Sequence, residues 1–156
     1  NLAIKLIPPH IAFQNNLPFK VIGAPWINSG ELHRNISTSE IEGINIREVS
    51  FTPQSIPGKA SNPKYRGELC RGIQLEITDK GLFDPLKFAV LILKTIHELH
   101  PQEFKILESG FINNLYGSDN LMKNIISGSS IEELVLTWNY DSDKFREMSN
   151  PYRIYR

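Results

Sequence analysis

The sequence is poor in several things, and each shortage excludes a class of protein. It has a single cysteine, Cys70, in 156 residues. No disulfide can close within the chain, so cysteine usage does not report a redox compartment. It has no excess of charge of either sign, with 17 Lys plus Arg against 17 Asp plus Glu. A polyanion-binding surface needs a basic surplus, so nucleic acid is not an expected partner. It has no long apolar run. The longest, Leu86 to Ile96, is broken by Lys87 and Lys94 and falls well short of the ~20 residues of a membrane span. Glycine-rich phosphate loops, His-Glu-x-x-His, cysteine pairs and Gly-x-Ser-x-Gly are all missing, so neither a cofactor nor a catalytic metal is expected.

What remains reads as one globular domain over residues 1–156, with 40% hydrophobic and 22% charged residues. Leu2, Ile4 and Leu6 suit a short edge strand before Pro8-Pro9. Phe19 to Trp26 reads as a strand entering a Gly/Pro turn, and Ser29 is placed to cap a short helix to about Ser37. Gly43 to Phe51 alternates as a strand, with a phase slip near Glu48 that suggests a bulge. A proline-punctuated loop from Gln54 to Tyr65 follows, then a period-two strand carrying Ile73, Leu75 and Ile77 on one face. Asp84-Pro85 announces a helix that Pro101 stops near His100. Gly128 closes a short helix, and Ser130 with Glu132 and Glu133 opens the last one. The stripe of that helix is Leu134, Trp138 and Phe145. Strands lead and helices follow. The expected class is α+β or α/β, a small mixed sheet under three to four helices concentrated in the C-terminal half.

The stretch richest in reactive types is Asn62 to Ile73, which sets Lys64, Tyr65, Glu68 and Cys70 between prolines and a strand. Lys64, Tyr65 and Glu68 suit hydrogen bonding to a sugar, with Tyr65 also offering a stacking face. The competing reading makes Tyr65 a loop anchor, Gly67 and Gly72 backbone accommodations, and Cys70 a small buried apolar residue. Cys70 as a nucleophile lacks a base nearby in sequence. Trp26, on its turn, suits either a sugar platform or a core plug. His97 and His100 are three apart on a helix, and a solvated helix end accounts for them better than a metal does. Glycoside hydrolysis usually needs two carboxyl groups at a defined separation, one kept protonated. Glu68, Glu76, Asp79 and Asp119 are the candidates. Glu76 points outward, Asp79 starts a turn and Asp119 suits a helix cap. Glu68 is left without a pair, so no catalytic residue is assigned.

At these same residues the chain resembles a known family. Pro18-Phe19-x-Val21-Ile22-Gly23-Ala24-Pro25-Trp26-Ile27, Val49 to Pro53, Lys64-Tyr65-x-Gly67-Glu68-x-Cys70-x-Gly72-Ile73 and Thr78-Asp79 look like the C-terminal region of the NamZ-type exo-β-N-acetylmuramidases. Tyr116-Gly117-Ser118-Asp119, Trp138, Phe145 and Tyr152-x-x-Tyr155 resemble its closing segment. The resemblance implies an accessory domain of a peptidoglycan hydrolase that removes N-acetylmuramic acid from non-reducing ends, in an extracytoplasmic setting. It implies an N-terminal Rossmann-like domain as partner, carrying the key glutamate and absent from these residues, so that this chain is inactive alone. Substrate contacts are expected from Trp26, Lys64, Tyr65 and Glu68. The family's Glu-Gly-Arg-Gly-Thr-like segment is replaced here by Ile11-Ala12-Phe13-Gln14-Asn15-Asn16. That removes an arginine suited to bidentate binding of the lactyl carboxylate and weakens the case that this chain alone recognises muramic acid. Two other outcomes stay open: a stand-alone glycan-binding or protein-interaction module, and a small hydrolase using Glu68 or Asp119.

Overall fold

The structure is a computed structural model that describes residues 2–3, 20–39, 41–55, 61–105 and 111–154. Sequence expectations at Ile4, Leu6, Ile11 to Asn16, Phe19, Pro57 and Tyr155 fall outside them. In chain order the elements are β1 (Leu2–Ala3), β2 (Val21–Ala24), α1 (Ser29–Ser37), β3 (Ile44–Phe51), β4 (Cys70–Ile77), α2 (Pro85–Leu99), β5 (Phe104–Lys105), α3 (Phe111–Tyr116), α4 (Asn120–Ser127) and α5 (Ile131–Ser149), closed by a 3-10 turn over Asn150–Tyr152. The fold is α+β, as expected. The sheet differs in detail. Among the described residues, parallel pairing is confined to the two-residue ladder of β1 with β5, and the three-stranded sheet β2-β4-β3 is wholly antiparallel.

β4 is the central strand, and both of its faces are used. Ile73 and Leu75 point into the main core, against Ala24 of β2 and against helices α1 and α2 through Leu32, Ile36, Phe88, Leu91 and Ile92. Cys70 points the other way, into a smaller cluster with Val21 and Phe51. This explains the phase slip in β3, which is not a bulge. Its pairing with β4 runs unbroken from Ile44↔Ile77 to Phe51↔Cys70. Ile44 and Ile46 serve the main core while Val49 and Phe51 serve the second cluster. The apolar side chains change face because two separate clusters need them, and no residue is inserted. Glu76 is exposed, as expected for its face.

The helices are placed by local capping. Asp84 Oδ1 accepts from Leu86 N and Lys87 N, both at 3.0 Å, with Pro85 at the first helical position. At the head of α5, Ser130 Oγ accepts from Glu133 N at 3.1 Å and Glu133 returns the bond to Ser130 N at 3.0 Å, a complete capping box. Gly128 ends α4 with φ 81°. Two expected caps are corrected. α1 is capped by Asn28, whose side chain accepts from Glu31 N at 3.2 Å. Ser29 is already inside the helix, where its hydroxyl donates to Glu48 Oε2 at 3.0 Å. At α4, Asp119 makes no side-chain cap bond. Ser118 Oγ accepts from Asn120 N at 3.2 Å, and Asp119 pairs with Lys123 one turn on. α2 packs against α1, α4 and α5, which layers the helices over one face of the sheet. Among the described residues no helix is long and apolar enough to cross a membrane.

β2 and β4 approach closely at the pair Gly23↔Gly72. A Cβ on Gly72 would be driven into the Ile22 carbonyl and would lie 2.6 Å from Gly23 Cα. Both obstacles are backbone of the neighbouring strand and cannot swing aside. Gly72→Ala is therefore expected to cost about 2 kcal/mol or more, read as a fall of at least ~5 °C in the melting midpoint. A change within ~1 °C would show that the strands can separate there at little cost.

Candidate functional site

Trp26, Lys64 and Tyr65 come together where the loop before β4 folds across the turn that follows β2. Trp26 leaves β2 through Pro25 with its indole half-buried against the main core. Its Nε1–H donates to the Tyr65 hydroxyl at 3.2 Å. Trp26 is thus packed and hydrogen-bonded while part of its surface stays open. The phenol accepts this bond and keeps its own O–H to donate elsewhere.

Tyr65 has φ 57°, the left-handed region that a bulky side chain rarely enters. Such a conformation costs on the order of 1–2 kcal/mol and persists only where the surroundings fix it. Here the fixing groups are visible. Tyr65 O accepts from Glu68 N at 3.0 Å, Gly67 N donates to the carbonyl of the buried Pro53 at 2.9 Å, and Gly67 itself takes φ 78°. The ring packs against both apolar clusters at once, so it is a loop anchor. Lys64 Nζ stands 5.1 Å from the centroid of the Tyr65 ring, within cation–π range. Lys64 is half-buried, and burial pushes its ammonium below the ordinary lysine range.

Glu68 shares the loop, but its side chain is exposed. Its carboxylate acts on Cys70 electrostatically. Burial first and the Glu68 charge second raise the Cys70 thiol from 9.0 to about 11. With no exposed surface and its sulfur directed at the Glu68 carbonyl at 3.8 Å, Cys70 is a neutral packing group and not a nucleophile.

His100 was not expected at this site. Its ring meets the Trp26 indole edge-on, with centroids 5.0 Å apart at 65°. His97, one turn back, leans on Phe104 at 5.0 Å. Both rings are half-buried and Glu98 between them is exposed, so the helix end is partly solvated and partly packed on aromatic partners. Nδ1 of His97 and Nε2 of His100 are both buried without a hydrogen-bond partner among the described residues. The Trp26–His100 contact joins residues far apart in the chain, and no local pattern announces it. Among the described residues no group of three His, Cys, Asp or Glu side chains is placed to hold a metal ion.

The remaining carboxylate candidates are occupied elsewhere. Asp79 Oδ1 accepts from Gly81 N at 2.7 Å and Leu82 N at 3.3 Å, which builds the turn after β4. Asp119 lies below the ordinary carboxylate range, held there first by its hydrogen bond to Lys123. That is the wrong direction for a proton donor near neutral pH.

The thiol supplies a pH prediction. The folded chain holds the Cys70 proton up to about pH 11, whereas the unfolded chain releases it near 9.0. Between those values the native state binds more protons, so stability is flat below the lower value and falls as pH rises toward the higher. Denaturant midpoints should decline across this window in the wild type and decline less in Cys70→Ala. At pH 8 a thiol-disulfide reagent should leave Cys70 unmodified until denaturant is added. Rapid labelling of the native chain would contradict its burial.

A family model described as the C-terminal region of exo-β-N-acetylmuramidase NamZ matches residues 14–155. Peptidoglycan β-N-acetylmuramidase NamZ of Bacillus subtilis (strain 168) is 33% identical over 138 residues, covering 88% of this chain and 32% of that protein. A crystal structure of a DUF1343 family protein from Bacteroides fragilis superposes with a TM-score of 0.73 at 18% identity, covering 94% of this chain and 38% of that one. At that identity the likeness establishes the fold. The chain thus spans about a third of the length of each relative. With the four motifs in order and a match running nearly the whole way along the sequence, this chain belongs to the NamZ exo-β-N-acetylmuramidase family, as its C-terminal region.

Proposed function

We propose that these residues form the accessory, substrate-cleft domain of a peptidoglycan exo-β-N-acetylmuramidase, and that the domain binds but does not cleave. The observation that carries this reading is the state of Tyr65. A phenol held in left-handed backbone, fixed by an indole N–H and flanked by a half-buried ammonium, is a preorganised sugar contact. Trp26 positions the phenol, Tyr65 offers its O–H and ring face, Lys64 faces anionic groups and exposed Glu68 accepts from sugar hydroxyls. A muramic acid residue carries a lactyl carboxylate, for which Lys64 is the matching charge. The proton donor comes from a separate Rossmann-like domain. In that assignment residues 1–156 are one domain of a larger enzyme acting outside the cytoplasm, where peptidoglycan lies.

The carboxylates support inactivity in isolation. Glu68 and Glu76 are exposed, Asp79 is held in a turn and Asp119 is ion-paired. None of them sits in the enclosed apolar setting that keeps a carboxyl protonated near neutral pH.

With a chromogenic N-acetylmuramic acid glycoside, the chain alone should show binding and no turnover. Lys64→Ala should weaken that binding about 5-fold, equivalent to ~1 kcal/mol for a partly exposed charge pair. It should leave binding of the corresponding N-acetylglucosamine glycoside, which lacks the carboxylate, within ~2-fold. Turnover by the isolated chain would overturn the accessory assignment. Equal losses on both glycosides would remove Lys64 as the carboxylate contact.

A further inference from the structure

The apolar stripe of α5 has a covered half and a bare half. Leu134 is 3% exposed and Trp138 is half-buried, its Nε1–H donated to the Tyr116 hydroxyl. From Asn139 to Met148 every residue is exposed, yet the stripe continues. Phe145 and Met148 follow Leu134 and Trp138 on the same helical face by the 3.6-residue period. Tyr152 extends it into the 3-10 turn. These three are 63%, 63% and 83% exposed. Asp141 is the one polar interruption on that face and Lys144 borders it, while Asp143 and Arg146, paired at 2.8 Å, lie away from it. A helix that only projected into water would need no aromatic and thioether side chains in phase with its buried half. Leu136 and Tyr140 are also exposed, but they lie on the opposite face as a lone pair.

We infer that the distal face of α5, formed by Phe145, Met148 and Tyr152, docks against the preceding domain of a longer muramidase. This rests on the accessory-domain reading proposed above. The matched family region is by description the C-terminal one, and 32% coverage of the Bacillus subtilis relative leaves about two-thirds of that protein outside it. The size of the patch also favours a tethered domain over a second copy. Three such side chains bury on the order of 400 Å². A free dimer needs about 800 Å² per partner, whereas a covalently attached domain gains effective concentration from its linker and tolerates less. The complementary surface is an apolar depression with a hydrogen-bond donor or basic group opposite Asp141.

The test uses the full 156-residue chain and a fusion in which residues 14–155 replace the matched third of the Bacillus subtilis relative. In the chain alone, trypsin should cut after Lys144 and Arg146. In the fusion those cuts should slow at least ~10-fold, because a docked helix opens less often. Phe145→Asp with Met148→Asp should restore fast cutting in the fusion and leave the melting midpoint of the isolated chain within ~2 °C. Equal cutting in fusion and isolated chain would overturn the inference. So would a dimer of the isolated chain in sedimentation that the double variant dissolves, since the face would then join two copies. Turnover of the chromogenic muramic acid glycoside separates the two ideas. Protection without turnover sinks the substrate-cleft reading alone, and turnover without protection sinks the docking surface alone.

Discussion

The central strand β4 has to bury both of its faces, and the rest of the molecule is arranged around that demand. Ile73 and Leu75 need the helical layer, while Cys70 needs Phe51 and Val21 on the other side. Each fully buried aliphatic side chain contributes roughly 2 kcal/mol, so neither face can be left open at low cost. A three-stranded sheet with helices on one side alone would expose the second face. The loop that returns to β4 closes it, and Tyr65 is the side chain that touches both clusters. The residue proposed to meet a sugar is therefore also a structural joint. Its unusual backbone follows from the tight turn through Gly67 that brings the ring back over the sheet.

This dual use accounts for what could and could not be read from the residues alone. β4 was legible because alternation of Ile73 and Leu75 survives any tertiary arrangement that buries one face. α2 and α5 were legible at their starts because Asp84-Pro85 and Ser130-x-x-Glu133 are local capping chemistry, needing nothing beyond four residues. β3 was misread near Glu48 for a physical reason. An inserted residue and a change of buried face shift the apolar phase by the same single step, and only the pairing with β4 tells them apart. Asn28 and Ser29 are adjacent residues of similar capping strength. The choice fell to Asn28 because Glu48, brought in by β3, engages the Ser29 hydroxyl. At the site, Lys64, Tyr65 and Glu68 were legible as neighbours in sequence. The Trp26–Tyr65 bond spans 39 positions and the Trp26–His100 contact is longer still. Contacts of that kind have no periodicity to betray them.

The electrostatics separate binding from bond breaking. Cleaving a glycosidic bond near neutral pH requires a carboxyl held protonated, which takes burial away from cations or close approach of a second carboxylate. The chain puts its buried volume to other use. Burial acts on Cys70, raising a thiol, and on Lys64, lowering an ammonium. Both shifts disfavour charge, and neither bears on a carboxyl. What the loop can offer is orientation: a fixed phenol, an aromatic face and a cation of reduced hydration.

Such an offering is only useful against a second surface, and the two ends of the molecule bear on that point differently. The Tyr65 loop is rigidly braced, as a contact must be if it is to hold a sugar within a fraction of an ångström. The end of α5 is the reverse, a regular helix whose apolar phase is correct but whose cover stops after Trp138. Phase is set by what a helix must pack against. Phe145 and Met148 keep the phase of Leu134 but are exposed. Among the described residues, then, the apolar phase of α5 runs further than its buried contacts do. The two ends thus differ in what holds them: the Tyr65 loop is fixed by backbone bonds and two apolar clusters, the end of α5 by its own helical bonds.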